Sequence, residues 1–201
     1  VINRSISFVV EGHGEVSALP VLARRIFEEL NPAIYVDVRN PIRSKKGTLV
    51  SNDAELERAL RLAKQKADEF SDNGSVLVLV DADDDCPVQL ASQLLGRARH
   101  VLASESIHVV VACSEFESWF LAGAESLCGV RGLPSELSSP DNPEGIRGAK
   151  EWLSRKMEGR GKYRPTIDQA PLAAKLDIVT AQARSRSFRK LYEELEKVIF
   201  R

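Results

Sequence analysis

Four short apolar runs, at residues 6–10, 34–38, 76–80 and 107–112, each precede a segment of helical periodicity or lie between two of them. This β-α-β-α alternation predicts an α/β domain with a mostly parallel four-stranded sheet flanked by helices, because strands joined through helices run in the same direction. The run at 76–80 is apolar at every position, the mark of a central strand covered on both faces. After the first run, Leu19, Leu22, Ile26 and Leu30 form one stripe of a helix, and Pro20 falls early enough to sit among the amides that have no intrahelical acceptor. Asn52, with Glu55 three residues on, predicts the start of a second helix whose inward face carries Leu56, Leu60, Ala63, Ala67 and Phe70. A third begins at Pro87 and shows Leu90, Leu94, Ala98 and Val101, so residues 81–85 fill the turn before it. Residues 40–50, with Arg43, Lys45, Lys46 and Gly47, read as a mobile basic loop without apolar anchors.

After Leu121 the pattern changes. Gly123, Gly129, Gly132, Pro134, Pro140, Pro143, Gly145 and Gly148 crowd one stretch, which reads as a long connection. Short helices are expected around residues 146–157 and 169–176, and Phe188, Leu191, Tyr192, Leu195, Val198 and Ile199 fall at the spacing of a closing helix packed on the core. The expected organisation is an α/β domain over residues 1–122, then a loop-rich connection and C-terminal helices over 123–201 packing on the same domain.

Composition narrows the class. At 201 residues, 43% hydrophobic and 28% charged, the chain is long enough to close one core. The longest apolar run is far short of the ~20 residues of a membrane span, and the first strand follows no charged-then-apolar leader, so a cytoplasmic location is expected. Cys86, Cys113 and Cys128 fit neither a metal-binding pair nor a disulfide framework, and are read as free thiols. The net charge of -1 hides an uneven layout: residues 160–201 carry ten Lys/Arg against five Asp/Glu, whereas four of residues 81–85 are acids. A basic arm beside an acidic pocket suits a phosphate-bearing ligand, although basic residues also line ordinary solvated helix faces.

In an open parallel sheet the ligand site forms outside the carboxyl ends of the strands. Here the first strand ends in Glu11-Gly12-His13-Gly14-Glu15, the third in Asp81-Ala82-Asp83-Asp84-Asp85, and the fourth in Ser114-Glu115-Phe116-Glu117. So many carboxylates on one edge repel one another unless a cation sits among them or some are protonated. Oxygen-only donors favour Mg²⁺ or Mn²⁺ over Zn²⁺, since His13, His100 and His108 are scattered. The candidate metal ligands are Glu11, Glu15, Asp81, Asp83, Asp85, Glu115 and Glu117, with Glu11, Asp81 and Asp83 at the centre of the chemistry. Glu15 also suits a helix dipole and Ser114 with Glu117 fits a capping box, but an acid ending a buried strand, as at Glu11 and Asp81, needs a partner that no adjacent Lys or Arg provides.

Other motifs fail on the same residues. The Asp81-x-Asp83-x-Asp85 spacing opens like a calcium loop, but Cys86 and Ser92 replace its glycine and bidentate glutamate. Gly12 and Gly14 lack the third glycine of a dinucleotide fingerprint, and no phosphate-binding Gly-Lys-Ser/Thr loop or serine nucleophile elbow is present. Cys113, at a buried strand end, reads as an inert thiol.

Glu11-Gly12-x-x-Glu15 followed by Leu19-Pro20, with Asp81-x-Asp83 ending a later hydrophobic strand, resembles the Toprim fold as it opens in the overcoming-lysogenization-defect (OLD) nucleases. Glu115-Phe116-Glu117 is similar to their later acidic motif. The whole chain, including residues 115–121, 163–169 and 184–188, resembles domain-of-unknown-function family 4276. The resemblance implies an Mg²⁺- or Mn²⁺-dependent nuclease, a hydrolase acting on DNA or RNA with two ions, and an AAA or ABC-type ATPase partner in phage defence. It also implies an assisting basic residue, for which Lys162, Arg164, Lys175, Arg184 and Arg186 are candidates. Arg43, Lys45, Lys46, Arg184 and Arg186 are the expected phosphate contacts. Two alternatives stay open: a catalytically silent Toprim-like binding or regulatory subunit, and phosphotransfer on a small molecule.

Overall fold

The apolar run that opens the chain becomes strand β1 (Arg4–Val10) in the computed structural model, which describes residues 4–157 and 161–200. Helix α1 (Glu15–Leu30) follows, then β2 (Val36–Val38), β3 (Ile42–Arg43), α2 (Lys46–Ser51), α3 (Asp53–Asp68), β4 (Ser75–Asp81), α4 (Pro87–Ala98) and β5 (Ile107–Ala112). All strand pairings are parallel, and the main path runs β2-β1-β4-β5. The four expected strands form that path. From β1 the chain winds outward to β2, then returns to lay β4 on the opposite side of β1, so the winding reverses between β1 and β4. Loops leaving the carboxyl ends of two such strands diverge and open a crevice. Glu11 and Asp81 stand at its two lips.

The two faces of the sheet pack separate layers. Ile6, Phe8 and Val10 of β1 join Leu77, Leu79, Val110 and Ala112 in a core with α1 and the C-terminal third of the chain. Val9, Val76, Val78, Val80, Val109 and Val111 face the other way, against α3, α4 and Leu49. Alternation along an extended strand accounts for this split, and complete burial of β4 on both sides accounts for its unbroken apolar run. Asn52 caps α3 as expected, accepting from the Glu55 amide at 3.1 Å.

Two expectations are corrected. Residues 40–50 are built into the fold: β3 pairs with β1, the Ser44 amide donates to Val10 at 2.9 Å, and the buried Leu49 anchors α2. Two residues of strand and one buried leucine are too little periodicity to be read from sequence. Phe70 lies beyond the end of α3, half exposed, edge-on to Tyr35. The Gly/Pro-rich connection after α5 (Ser118–Ala122) is tied down by turns of 3-10 helix at Ala124–Leu127, Val130–Gly132 and Pro143–Gly145, and by the buried side chains of Leu127, Leu133 and Leu137.

The rest of the chain comprises α6 (Ala149–Lys156), a π-helical turn at Pro165–Gln169, α7 (Ala170–Ala173), α8 (Ile178–Arg184) and α9 (Arg186–Phe200). Among the described residues no helix is long and apolar enough to cross a membrane. Every residue of α5 is buried, and its Trp119 packs between Phe116, with ring centroids 4.6 Å apart, and Phe188 of α9, edge-on at 5.5 Å. Because Phe188 belongs to the same hydrophobic cluster as β1 and β4, its truncation tests how far one core extends. Phe188→Ala is expected to cost about 3–5 kcal/mol. In urea, tryptophan fluorescence and far-ultraviolet circular dichroism should shift together in one transition; separate transitions would mean two units.

Candidate functional site

Asp81 is the last residue of β4 and only 4% exposed, with its Oδ1 accepting from the Phe116 amide at 2.8 Å. That bond ties the end of β4 to the turn after β5, as do the Ala82 and Asp83 amides, which donate to the Ala112 and Ser114 carbonyls at 2.8 and 2.9 Å. Asp83 and Ser114, one in each turn, both adopt positive φ, 52° and 61°. Non-glycine residues in this region carry backbone strain that their surroundings must offset. The strain turns the chain sharply enough to bring Glu115 and Glu117 back beside Asp81.

On the β1 side, Glu15 opens α1, 6% exposed, and its Oε2 accepts from the Gly12 amide at 2.9 Å. A Cβ on Gly12 would lie 2.4 Å from Glu15 Oε1, so a side chain there would push the Glu15 carboxylate out of its present position. Gly14 has a different constraint: a Cβ there would meet Gln169 Oε1 at 2.1 Å and the Pro165 backbone at 2.8 Å. The π-helical turn from the end of the chain therefore packs directly on the first acidic loop.

Glu117 is fully buried. It is no helix cap: it occupies the position before α5 without a side-chain capping bond, and its Oε1 instead accepts from the Tyr163 hydroxyl at 3.0 Å and Gln169 Nε2 at 3.2 Å. At the centre stands a residue that the sequence reading missed. The Lys150 ammonium lies 3.1 Å from Glu115 Oε1, 3.4 Å from Glu117 Oε2 and 3.9 Å from Asp81 Oδ2, and the Lys150 backbone amide also donates to Glu115 at 3.2 Å. Lys150 reaches the crevice from α6, across the long connection. A signal was present: a lysine in the first turn of a helix, where the dipole disfavours a cation, is out of place unless something acidic faces it. Lys162, Arg164, Lys175, Arg184 and Arg186, the expected assisting cations, are not among the groups that hold the cluster.

The remaining acids divide. Asp83 and Asp85 are largely exposed and both pair with Lys46, at 2.8 and 3.0 Å, while Lys46 also donates to the Ala82 carbonyl at 2.8 Å. Asp83 still acts on Glu11 through its charge. Arg43 reaches the Glu11 carbonyl at 3.3 Å and Lys45 stands exposed beside it, so both lie at the mouth. Arg184 is engaged by Glu125 and the Ala122 carbonyl, and Arg186, 88% exposed, approaches Glu144 at 3.9 Å. Neither touches the acids of the crevice.

Electrostatics show how poorly this charge is matched. Burial raises the carboxyl of Glu15 to about 7, helped by the neighbouring charges of Glu11 and Glu117 against the pull of the Gly12 amide and Lys150. Burial also drives Asp81 well above the usual carboxylate range, with Glu15 and Glu117 adding to it, and raises Glu117 and Glu11. Burial alone would lower the Lys150 ammonium, but Glu117, Asp81 and Glu115 outweigh it and raise it. Glu11 Oε2, Glu117 Oε2 and Gln169 Oε1 are buried without a hydrogen-bond partner. Among the described residues no group of three or more His, Cys, Asp and Glu side chains is set to hold a metal ion as it stands. The crevice thus offers surplus acceptors and negative charge, gathered for the present around one lysine.

Residues 10–196 match the family model described as Domain of unknown function (DUF4276). The chain belongs to this family. The DUF4276 match takes in every residue of the crevice, from Glu11 to Gln169. Among curated proteins there is no match. A solved structure, the C-terminal region of the Burkholderia pseudomallei OLD protein, is similar at 20% sequence identity with a TM-score of 0.45, over 99% of this chain and 100% of that chain.

The raised carboxyl of Glu15 makes stability depend on pH. Folded, it takes up a proton near pH 7; unfolded, only near its ordinary 4.5. The stability that this proton contributes is fully present below pH 4.5 and is lost as pH rises through about 7. In metal-free buffer, Glu15→Gln is expected to lose about 1–3 kcal/mol less than wild type between pH 5 and pH 8. Urea unfolding at both values measures it, and equal losses would contradict this account.

Proposed function

We propose that this chain carries out divalent-metal-dependent phosphodiester hydrolysis on nucleic acid, as a Toprim-type nuclease. The observation that carries the reading is the crevice itself: Glu11, Glu15, Asp81 and Glu117 converge from three strand ends at the switch point of a parallel sheet, with buried oxygens left unmatched. Carboxylates gathered in that number stay ionised only beside positive charge, and one lysine offsets only part of it. The donor set is all oxygen, which suits Mg²⁺ or Mn²⁺.

Glu11, Glu15 and Asp81 would hold one ion, and Glu115 and Glu117 a second. Bound there, such ions supply activated water and stabilise the charge of the leaving oxygen. The chain's own residues do the rest. Lys150 keeps a fixed positive charge at the centre, where a phosphate's charge develops. Arg43, Lys45 and Lys46 at the mouth fit contacts to the backbone phosphates, which position a strand without reading its sequence. The acidic motifs Glu11-Gly12-x-x-Glu15 and Glu115-Phe116-Glu117 agree with this reading, which extends to work alongside an ATPase partner in cytoplasmic phage defence.

One observation favours a second reading. Lys150 already pairs with Glu115 and Glu117, so a crevice that stays closed around it would serve as a regulatory or binding module without turnover.

Purified chain, alone or with an AAA or ABC-type ATPase added as the proposed partner, should nick DNA or RNA once Mg²⁺ or Mn²⁺ is added. Glu11→Ala and Asp81→Asn should abolish cleavage, and Lys150→Ala should slow it about 100-fold. Unchanged cleavage in the first two variants would refute the nuclease reading, and Mn²⁺ binding without turnover on any nucleic acid would favour the regulatory one.

A further inference from the structure

Tyr163 and Gln169 come from the C-terminal third of the chain, Tyr163 just before, and Gln169 as the last residue of, a π-helical turn, a distortion often found at functional sites. Both are buried, and both donate to the same oxygen of Glu117, the Tyr163 hydroxyl at 3.0 Å and Gln169 Nε2 at 3.2 Å. The other oxygen, Oε2, accepts no hydrogen bond and faces the Lys150 ammonium at 3.4 Å. Gln169 Oε1 is likewise buried without a partner, against Gly14.

The clamp is itself held in place. Asp168 Oδ1 accepts from Arg131 Nε at 2.9 Å and its Oδ2 from the Arg164 amide at 2.8 Å, fixing the start of the turn. The Tyr163 amide donates to Ser154 Oγ at 3.1 Å, and Ser154 Oγ donates to the Lys150 carbonyl at 2.8 Å. A closed circuit results, from Lys150 through Ser154 and Tyr163 to Glu117 and back to the Lys150 ammonium. A core tyrosine needs one hydrogen bond; a tyrosine and a glutamine on one carboxylate oxygen, with the second oxygen facing only the Lys150 ammonium, select which oxygen the carboxylate presents.

We propose that Tyr163 and Gln169 are positioning residues of a divalent-cation site: by engaging Oε1 of Glu117, they leave Oε2 as the oxygen that the cation receives. This rests on the metal-site reading above. Removing either donor frees the carboxylate to rotate, so that Oε2 is no longer held toward the cation, and partners of this kind are worth about 10–100-fold in metal affinity.

The test is calorimetric titration of the purified chain with MnCl₂, for wild type, Tyr163→Phe, Gln169→Met and the double variant, with thermal melts alongside. Each single variant should weaken Mn²⁺ binding about tenfold or more while keeping a cooperative melt. The double variant should lose less than the product of the two, because both act through one oxygen. Wild-type affinity in a folded Tyr163→Phe overturns the proposal, and that variant decides alone should Gln169→Met not fold. Independent, multiplicative losses also overturn it, since they would mean unrelated damage. Failure of wild type to bind Mn²⁺ overturns the metal site, and this assignment with it.

Discussion

The Lys150 ammonium lies within 4 Å of Glu115, Glu117 and Asp81, in a crevice where Glu11 and Glu15 add two further acids. Placing charges out of water costs several kcal/mol per ion, and only close, well-oriented opposite charge returns it. One ammonium does not match that many carboxylates, which is why burial and mutual repulsion push Asp81, Glu15 and Glu117 toward the protonated state even beside it. The features around the crevice follow from containing this imbalance: backbone amides of Gly12 and Phe116 turned onto carboxylates, Tyr163 and Gln169 clamped on Glu117, and Lys46 across Asp83 and Asp85 at the rim.

The fold serves this arrangement through its topology. A reversal of winding between β1 and β4 opens the crevice, and the strained turns at Asp83 and Ser114 fold the ends of β4 and β5 over it. The C-terminal third closes the other side, since α6 supplies Lys150 and the π-helical turn seats Gln169 against Gly14. Aromatic packing of Trp119 with Phe116 and Phe188 joins that third to the sheet, so the geometry of the site and the stability of the core share the same contacts. Backbone strain and buried oxygens without hydrogen bonds are costs that a purely structural cluster would shed by substitution, and their concentration at one strand edge is the observation behind the proposed cation site.

Much of this was legible in the sequence, for reasons particular to each residue. The run at 76–80 announced a doubly covered strand because all its positions are apolar, and Pro87 and Asn52 marked helix starts through chemistry local to one turn. Glu11 and Asp81 stood out because acids ending buried strands lack local partners. What stayed hidden depends on contacts distant in the chain. Lys150 meets Asp81 from 69 positions away, across a connection rich in Gly and Pro whose path no periodicity reveals. Glu117 satisfied a capping pattern on paper, and only the approach of Tyr163 and Gln169 drew it elsewhere. The segment around Leu49 looked mobile because a two-residue strand and one buried leucine leave almost no trace in a hydrophobic pattern.

A crystal structure of the chain soaked in Mn²⁺ shows whether the crevice takes a divalent cation whose place Lys150 partly fills. Anomalous difference density should mark an ion between Glu11 and Asp81, with the Lys150 ammonium drawn away from Asp81. No anomalous density in the crevice, with Lys150 unmoved among the same carboxylates at saturating Mn²⁺, would contradict the account.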